Sequence, residues 1–95
     1  MNILMIDTSG PACGVAIMAD GRLVYEAELT HKQTHSQRVM PMVDTALQMS
    51  DMTAADMDVF GAVVGPGSFT GVRIGVSTVK ALAHAADKPC VAVDA

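Results

Sequence analysis

The sequence predicts an α/β domain: one mixed five-stranded sheet with helices packed on it, in the order β-β-β-α-β-α-β. Three observations carry this. Short apolar runs bounded by turn residues fall at 3–7, 12–18, 22–29, 59–64 and 90–93. Two longer segments, 35–49 and about 70–86, repeat apolar residues at helical spacing. Asp20-Gly21 is a tight hairpin signal between the second and third runs, and the later runs are separated by the helical segments. A three-stranded meander therefore leads into two α-β crossovers.

Each element has its own signature. Residues 3–7 are nearly all apolar, as in a central strand covered on both faces. Thr8-Ser9-Gly10-Pro11 is a turn cluster. Residues 12–18 form the second strand. In 22–29, Leu23, Tyr25, Ala27 and Leu29 alternate with Arg22, Val24, Glu26 and Glu28, so this strand is half exposed and suits a sheet edge. Thr34 with Gln37 three residues on fits a capping box, which starts a helix near His35 that runs to Met49. Pro41 predicts a kink in it. Thr53 with Asp56 resembles a shorter helical start. The fourth strand, 59–64, meets a glycine-rich stretch, and a helix follows to about Ala86. Lys88-Pro89 ends that helix before the fifth strand. A sheet of this kind takes a further helix on its second face, so the expectation is a fragment of a longer protein.

Composition narrows the function. The chain has 95 residues, 51% apolar and 17% charged, which fits one small globular domain. Its net charge is −4 and its aromatics are Tyr25, Phe60 and Phe69. Such a surface is poorly suited to hold nucleic acid by itself, because phosphates need basic groups and single strands need stacking platforms. Work on RNA would come through a partner. Cys13 and Cys90 both sit in apolar contexts and read as buried, reduced thiols. The N-terminus lacks the basic region of a signal peptide, and no apolar run approaches the roughly 20 residues that span a bilayer. The reading is a cytoplasmic protein without membrane contact.

Both helices carry more apolar surface than one sheet can cover. In 35–49, the residues from Val39 through Met49 that are apolar fill an arc of about 180°, against the ~100° of an ordinary surface helix. In 70–86, the polar stripe of Arg73, Ser77, Lys80 and His84 spans only about 60°. Val72, Val76, Val79 and Ala83 make one apolar face. Ile74, Thr78, Ala81 and Ala85 make another, beside Gly71 and Gly75. The two helices can pack on each other, present a shared face to a partner, or both. The candidate partner-binding residues are Val39, Met42, Val43, Ala46, Gly71, Ile74, Gly75, Thr78, Ala81 and Ala85.

Candidate chemistry lies at two places. Gly65-Pro66-Gly67-Ser68-Phe69-Thr70-Gly71-Val72-Arg73-Ile74-Gly75 follows a strand and opens a helix. It lacks the Gly-Lys-Ser/Thr ending of a Walker loop and the spacing of a dinucleotide fingerprint. It suits a main-chain anion cradle or a close helix approach, and the second apolar face beside Gly71 and Gly75 favours the approach. Asp7-Thr8-Ser9-Gly10 ends the first strand, where α/β folds place phosphate and metal contacts, or it is a plain turn with Asp7 capping local amides. Thr8, Ser9, Gly67 and Ser68 are thus the candidate phosphate ligands. His31 and His35 have metal-pair spacing, but the helix begins only at His35 and no third ligand is evident. No catalytic residue and no metal site is assigned.

Three blocks carry a resemblance. Met1-Asn2-Ile3-Leu4-Met5-Ile6-Asp7-Thr8-Ser9, then Thr34-His35-Ser36-Gln37, then the stretch from Gly65 to Gly75 are similar in order and spacing to the TsaB (YeaZ) family. The resemblance implies a ribonuclease-H-like lobe of the actin-like ATPase and sugar-kinase superfamily, with 1–95 as the N-terminal lobe and the second lobe absent. It implies a role in making threonylcarbamoyladenosine in tRNA, as non-catalytic partner of the metal-holding transferase TsaD. Contact would run through the two helices, the same surface forming homodimers when TsaD is absent, and tRNA would be met only indirectly. No cofactor is implied for the chain by itself; ATP or ADP could lie at the interface with the partner. The alternative is an ATP-binding kinase-like or metallopeptidase-like enzyme of the same superfamily.

Overall fold

The computed structural model describes residues 1–30, 35–65 and 69–94. Five strands form one sheet: β1 (Asn2–Asp7), β2 (Ala12–Ala19), β3 (Arg22–Thr30), β4 (Val59–Gly65) and β5 (Cys90–Asp94). Their order across the sheet is β3-β2-β1-β4-β5. The meander β1-β2-β3 is antiparallel, while β4 and β5 run parallel to β1. Two helices, α1 (His35–Met49) and α2 (Phe69–Ala86), form the crossovers, and a single 3-10 turn, Ala54–Asp56, precedes β4. The mixed five-stranded architecture matches the sequence expectation.

The hairpin turn follows from its residues. Asp20 and Gly21 both have positive φ, 54° and 77°, as the right-handed twist of a two-residue turn demands. The amino group of Met1 lies 2.8 Å from Asp20 Oδ1. That contact holds the amine's pKa above, and the Asp20 carboxyl's below, their ordinary values. Asn2 ties the start of β1 to β4: its backbone N–H donates to the Asp58 carboxylate at 2.7 Å, and its amide donates to the Asp56 carbonyl at 2.9 Å.

The core lies between the helices and one face of the sheet. Leu4 and Ile6 of β1, Cys13, Val15 and Ile17 of β2, and Phe60 and Ala62 of β4 are buried there. Val39, Val43 and Ala46 of α1 and Val79 and Ala83 of α2 close over them. The Thr34 end of the expected capping box lies outside the described residues. Pro41 sits within α1, which continues through it, and the Thr45 hydroxyl donates to the Pro41 carbonyl at 3.0 Å. Both helices stop at an aspartate in left-handed conformation, Asp51 and Asp87. The following N–H groups, of Met52 and Lys88, return to the carbonyls of Leu47 and Ala83 at 3.0 and 2.9 Å.

One expectation is corrected. Cys13 is buried, but Cys90 is exposed. It opens β5 at the outer side of the sheet, with β4 as that strand's one neighbour. An apolar run there does not imply cover on both faces.

Candidate functional site

The carboxyl end of β1 is tied to α2. Thr8 is fully buried, and its hydroxyl donates to the Gly71 carbonyl. Gly75 lies directly over it: a Cβ at that position would stand 2.6 Å from Thr8 Oγ1, with Ile6 and Ala62 beyond. Gly71 and Gly75 are thus a close approach, but onto the sheet and not toward a second helix. Ser9 is also buried. Its N–H and hydroxyl both donate to Asp7 Oδ1, at 3.0 and 2.6 Å. Of the four candidate phosphate ligands, Thr8 and Ser9 are adjacent with both hydroxyl protons bound inside the fold; Gly67 and Ser68 lie outside the described residues. Burial, then the charge of Asp7, pushes the Cys13 thiol pKa up.

The structure divides the candidate partner-binding residues into three groups. Val39, Val43 and Ala46 face the sheet and are buried, as are Gly71 and Gly75. Met42 is half-buried between α1 and β3. Ile74 and Thr78 are half-buried, and Ala81 and Ala85 are exposed. Thr78, Ala81 and Ala85 join Ser77, Leu82 and Met40 in lining a groove of about 350 Å³ between the two helices. Met40 is 40% exposed. The sequence reading omitted it from the candidate set, although its helical phase shows its place: with Val39 and Val43 turned to the sheet, position 40 falls on the flank next to α2. Among the described residues the groove has no charged lining residue.

Among the described residues no group of three His, Cys, Asp or Glu side chains is placed to hold a metal. His31 lies outside them, so its pairing with His35 is not described. Among the same residues no helix is long and apolar enough to cross a membrane.

Comparison with known proteins places this architecture. A family model described as TsaD, tRNA N6-adenosine threonylcarbamoyltransferase, matches residues 27–95. The tRNA threonylcarbamoyladenosine biosynthesis protein TsaB of Escherichia coli is 42% identical over 98% of this chain, which spans 40% of that relative's length. A solved structure of YeaZ from Pseudomonas aeruginosa superimposes with a TM-score of 0.90 at 36% identity, over 98% of this chain and 43% of that one. More distant structures share the fold alone. RuvC of Thermus thermophilus aligns at a TM-score of 0.66 with 15% identity over 99% of this chain and 64% of its own. A Bacteroides thetaiotaomicron protein with an actin-like ATPase fold aligns at 0.60 with 9% identity over 95% and 32%. The lobe is therefore ribonuclease-H-like and actin-like, and the chain belongs to the TsaB (YeaZ) family within the broader family of the TsaD model.

Proposed function

We propose that this chain is the interaction lobe of a scaffold protein required for threonylcarbamoyl transfer to adenosine of tRNA. It is not itself the catalyst. The α1–α2 groove binds a TsaD-like catalytic subunit, and a second copy of the chain takes the same surface when that subunit is absent. tRNA is met only through the partner. The observation that carries this reading is the uncharged groove with Met40, Ala81 and Ala85 exposed beside it. Methionine and small residues of this kind fit a surface that a second helix pair covers. ATP or ADP, if part of the assembly, belongs to the interface with the partner, near Thr8, Ser9, Gly67 and Ser68.

Ala81→Glu tests the proposal. The position is exposed, so the free chain keeps its fold, while a charge buried without a partner in the complex weakens association by at least roughly tenfold. Capture of the TsaD-like subunit and light scattering of the chain alone are the two readouts. Undiminished capture by Ala81→Glu would show that the groove is not the contact. Titration calorimetry with ATP and magnesium addresses the kinase-like alternative, which predicts tight binding by this chain alone.

A further inference from the structure

On the other flank of α1, facing edge strand β3, lies a second groove with an arginine that the fold leaves unused. Tyr25 and Leu29 of β3 form one wall, and Arg38, Pro41, Met42 and Thr45 of α1 form the other. Arg38 Nε is buried without a hydrogen-bond partner. Among the described residues no carboxylate lies within ion-pair distance of it. Burying such a donor without an acceptor is unfavourable, and a carboxylate is the acceptor that matches a guanidinium.

The strand beside this groove is open. β3 is the outermost strand on its side of the sheet, so alternate residues turn their N–H and C=O groups away from β2. A register shift between Ile17 and Met18 breaks the ladder near Leu23, which leaves Tyr25 to Thr30 as the regular edge. A segment that adds there as a strand sends alternate side chains to opposite faces. On the α1 side they meet the groove and Arg38. On the opposite side they meet Glu26 and Glu28, both exposed, which line a cleft with Met5, Asp7 and Val63. The two faces thus select opposite charges: an acid toward α1 and bases on the other side. A second copy of this chain does not satisfy them. Antiparallel pairing of β3 with β3, centred on Ala27, sets Glu26 against Glu28 in both directions and brings no acid to Arg38.

We infer that the β3 edge binds an extended peptide segment of alternating charge as an added strand, its carboxylate side chain pairing with Arg38 and its basic side chains facing Glu26 and Glu28. This site lies across α1 from the groove assigned above, and it does not depend on that assignment.

The probe is the peptide acetyl-Thr-Val-Lys-Glu-Lys-Val-Thr-amide, titrated into the isotope-labelled chain and followed by NMR. Bound, it shifts the amides of Tyr25 to Leu29, slows their hydrogen exchange, and moves the Arg38 Nε–H resonance. Replacing its glutamate by glutamine weakens binding roughly tenfold or more, and so does Arg38→Gln. In Arg38→Gln the two peptides bind alike, which isolates the pair from general charge effects. Met42→Glu, one helical turn from Arg38 and lining the same groove, offers the guanidinium a carboxylate from within α1 and reproduces the loss if Arg38→Gln does not fold. The inference is overturned if the peptide leaves the β3 amides unmoved at millimolar concentration, or if both peptides bind the unaltered chain equally.

Discussion

Gly75→Ala puts the strand–helix contact to a quantitative test, because two effects of opposite sign compete at one position. Alanine in the interior of α2 gains about 1 kcal/mol of helix propensity over glycine. Against this, its Cβ would stand 2.6 Å from Thr8 Oγ1, with Ile6 Cγ2 at 3.8 Å and Ala62 Cβ at 3.9 Å. Oγ1 is not the end of a long flexible side chain. Thr8 is fully buried, short and branched, so relief requires α2 to move off the sheet or the threonine to turn. Overpacking of this kind costs about 1–3 kcal/mol. A turned Thr8 also loses its bond to the Gly71 carbonyl, and a buried hydroxyl without an acceptor costs about 1–3 kcal/mol more. The sum is a net destabilisation of about 1–5 kcal/mol, centred near 3, against a total stability of about 5–15 kcal/mol for a domain. Urea unfolding reads it as a lower midpoint at unchanged slope. Thr8→Ala removes the opposing atom, so the double variant should be more stable than the two single losses predict by about 1–2 kcal/mol. Gly75→Ala at or above the stability of the unaltered chain, or strict additivity in the cycle, would refute the close approach.

Three further outcomes follow from the same contacts. Val43→Glu places a carboxylate at a fully buried position of α1 and should abolish the cooperative unfolding transition, while Ala81→Glu keeps the native circular dichroism spectrum; loss of fold in both would remove the distinction between core and groove. Cys90 is exposed and should react at once with a thiol reagent, whereas Cys13, 1% exposed and with its thiol pKa raised, should react only as the chain unfolds; equal rates would contradict the burial of β2. Asp20→Asn keeps a residue that accepts the left-handed turn and removes the partner of the Met1 amine. The lowered carboxyl pKa stabilises the fold above the ordinary carboxyl range and is lost as pH falls through the lowered value, while the raised amine pKa stabilises it below its ordinary value and is lost as pH rises through the raised one. The small difference in melting temperature between variant and parent should therefore peak between about pH 4 and pH 8 and shrink on either side, and a constant difference would show that the contact contributes nothing.

Local chemistry made most of the fold legible. The Asp20-Gly21 hairpin, the alternation of Tyr25, Ala27 and Leu29, and the span of α1 are all fixed by near neighbours. What escaped depends on distant ones. Glycine carries no hydrophobic signal, so the sheet-facing row of α2, Gly71, Gly75, Val79 and Ala83, is not visible as a row until β1 is laid beneath it. Periodicity alone therefore gives faces of α2 rotated from the observed ones, with Gly71 and Gly75 away from the sheet. In the sequence Lys88-Pro89 marks the end of the second helix, and the first carries no such mark. The structure stops both helices at aspartates in the left-handed conformation, a role usually read from glycine. Arg38 was not singled out at all, because one arginine in an amphipathic helix is unremarkable until β3 forms the opposite wall.

The carboxyl end of β1 shows why the helical face is the better foundation for function. In α/β folds this is the position from which phosphate and metal contacts are made. Here its polar groups answer one another. Asp7 accepts both donors of Ser9, and Thr8 donates into α2. A phosphate taking the Ser9 hydroxyl would have to displace a charge-assisted bond, of order 1.5–3 kcal/mol, and would then lie beside the Asp7 carboxylate with like charge. Binding there requires a bridging cation or a basic group from outside the described residues to reverse the repulsion. The α1–α2 groove needs no such help, since among the described residues its lining carries no charge, and the one hydroxyl bond on it, from Thr78 to the Ile74 carbonyl, lies within α2. An anion at β1 is therefore conditional on charge brought from outside the described residues, while the proposed contact at the helices asks for no such compensation, and under that proposal the first would follow from the second.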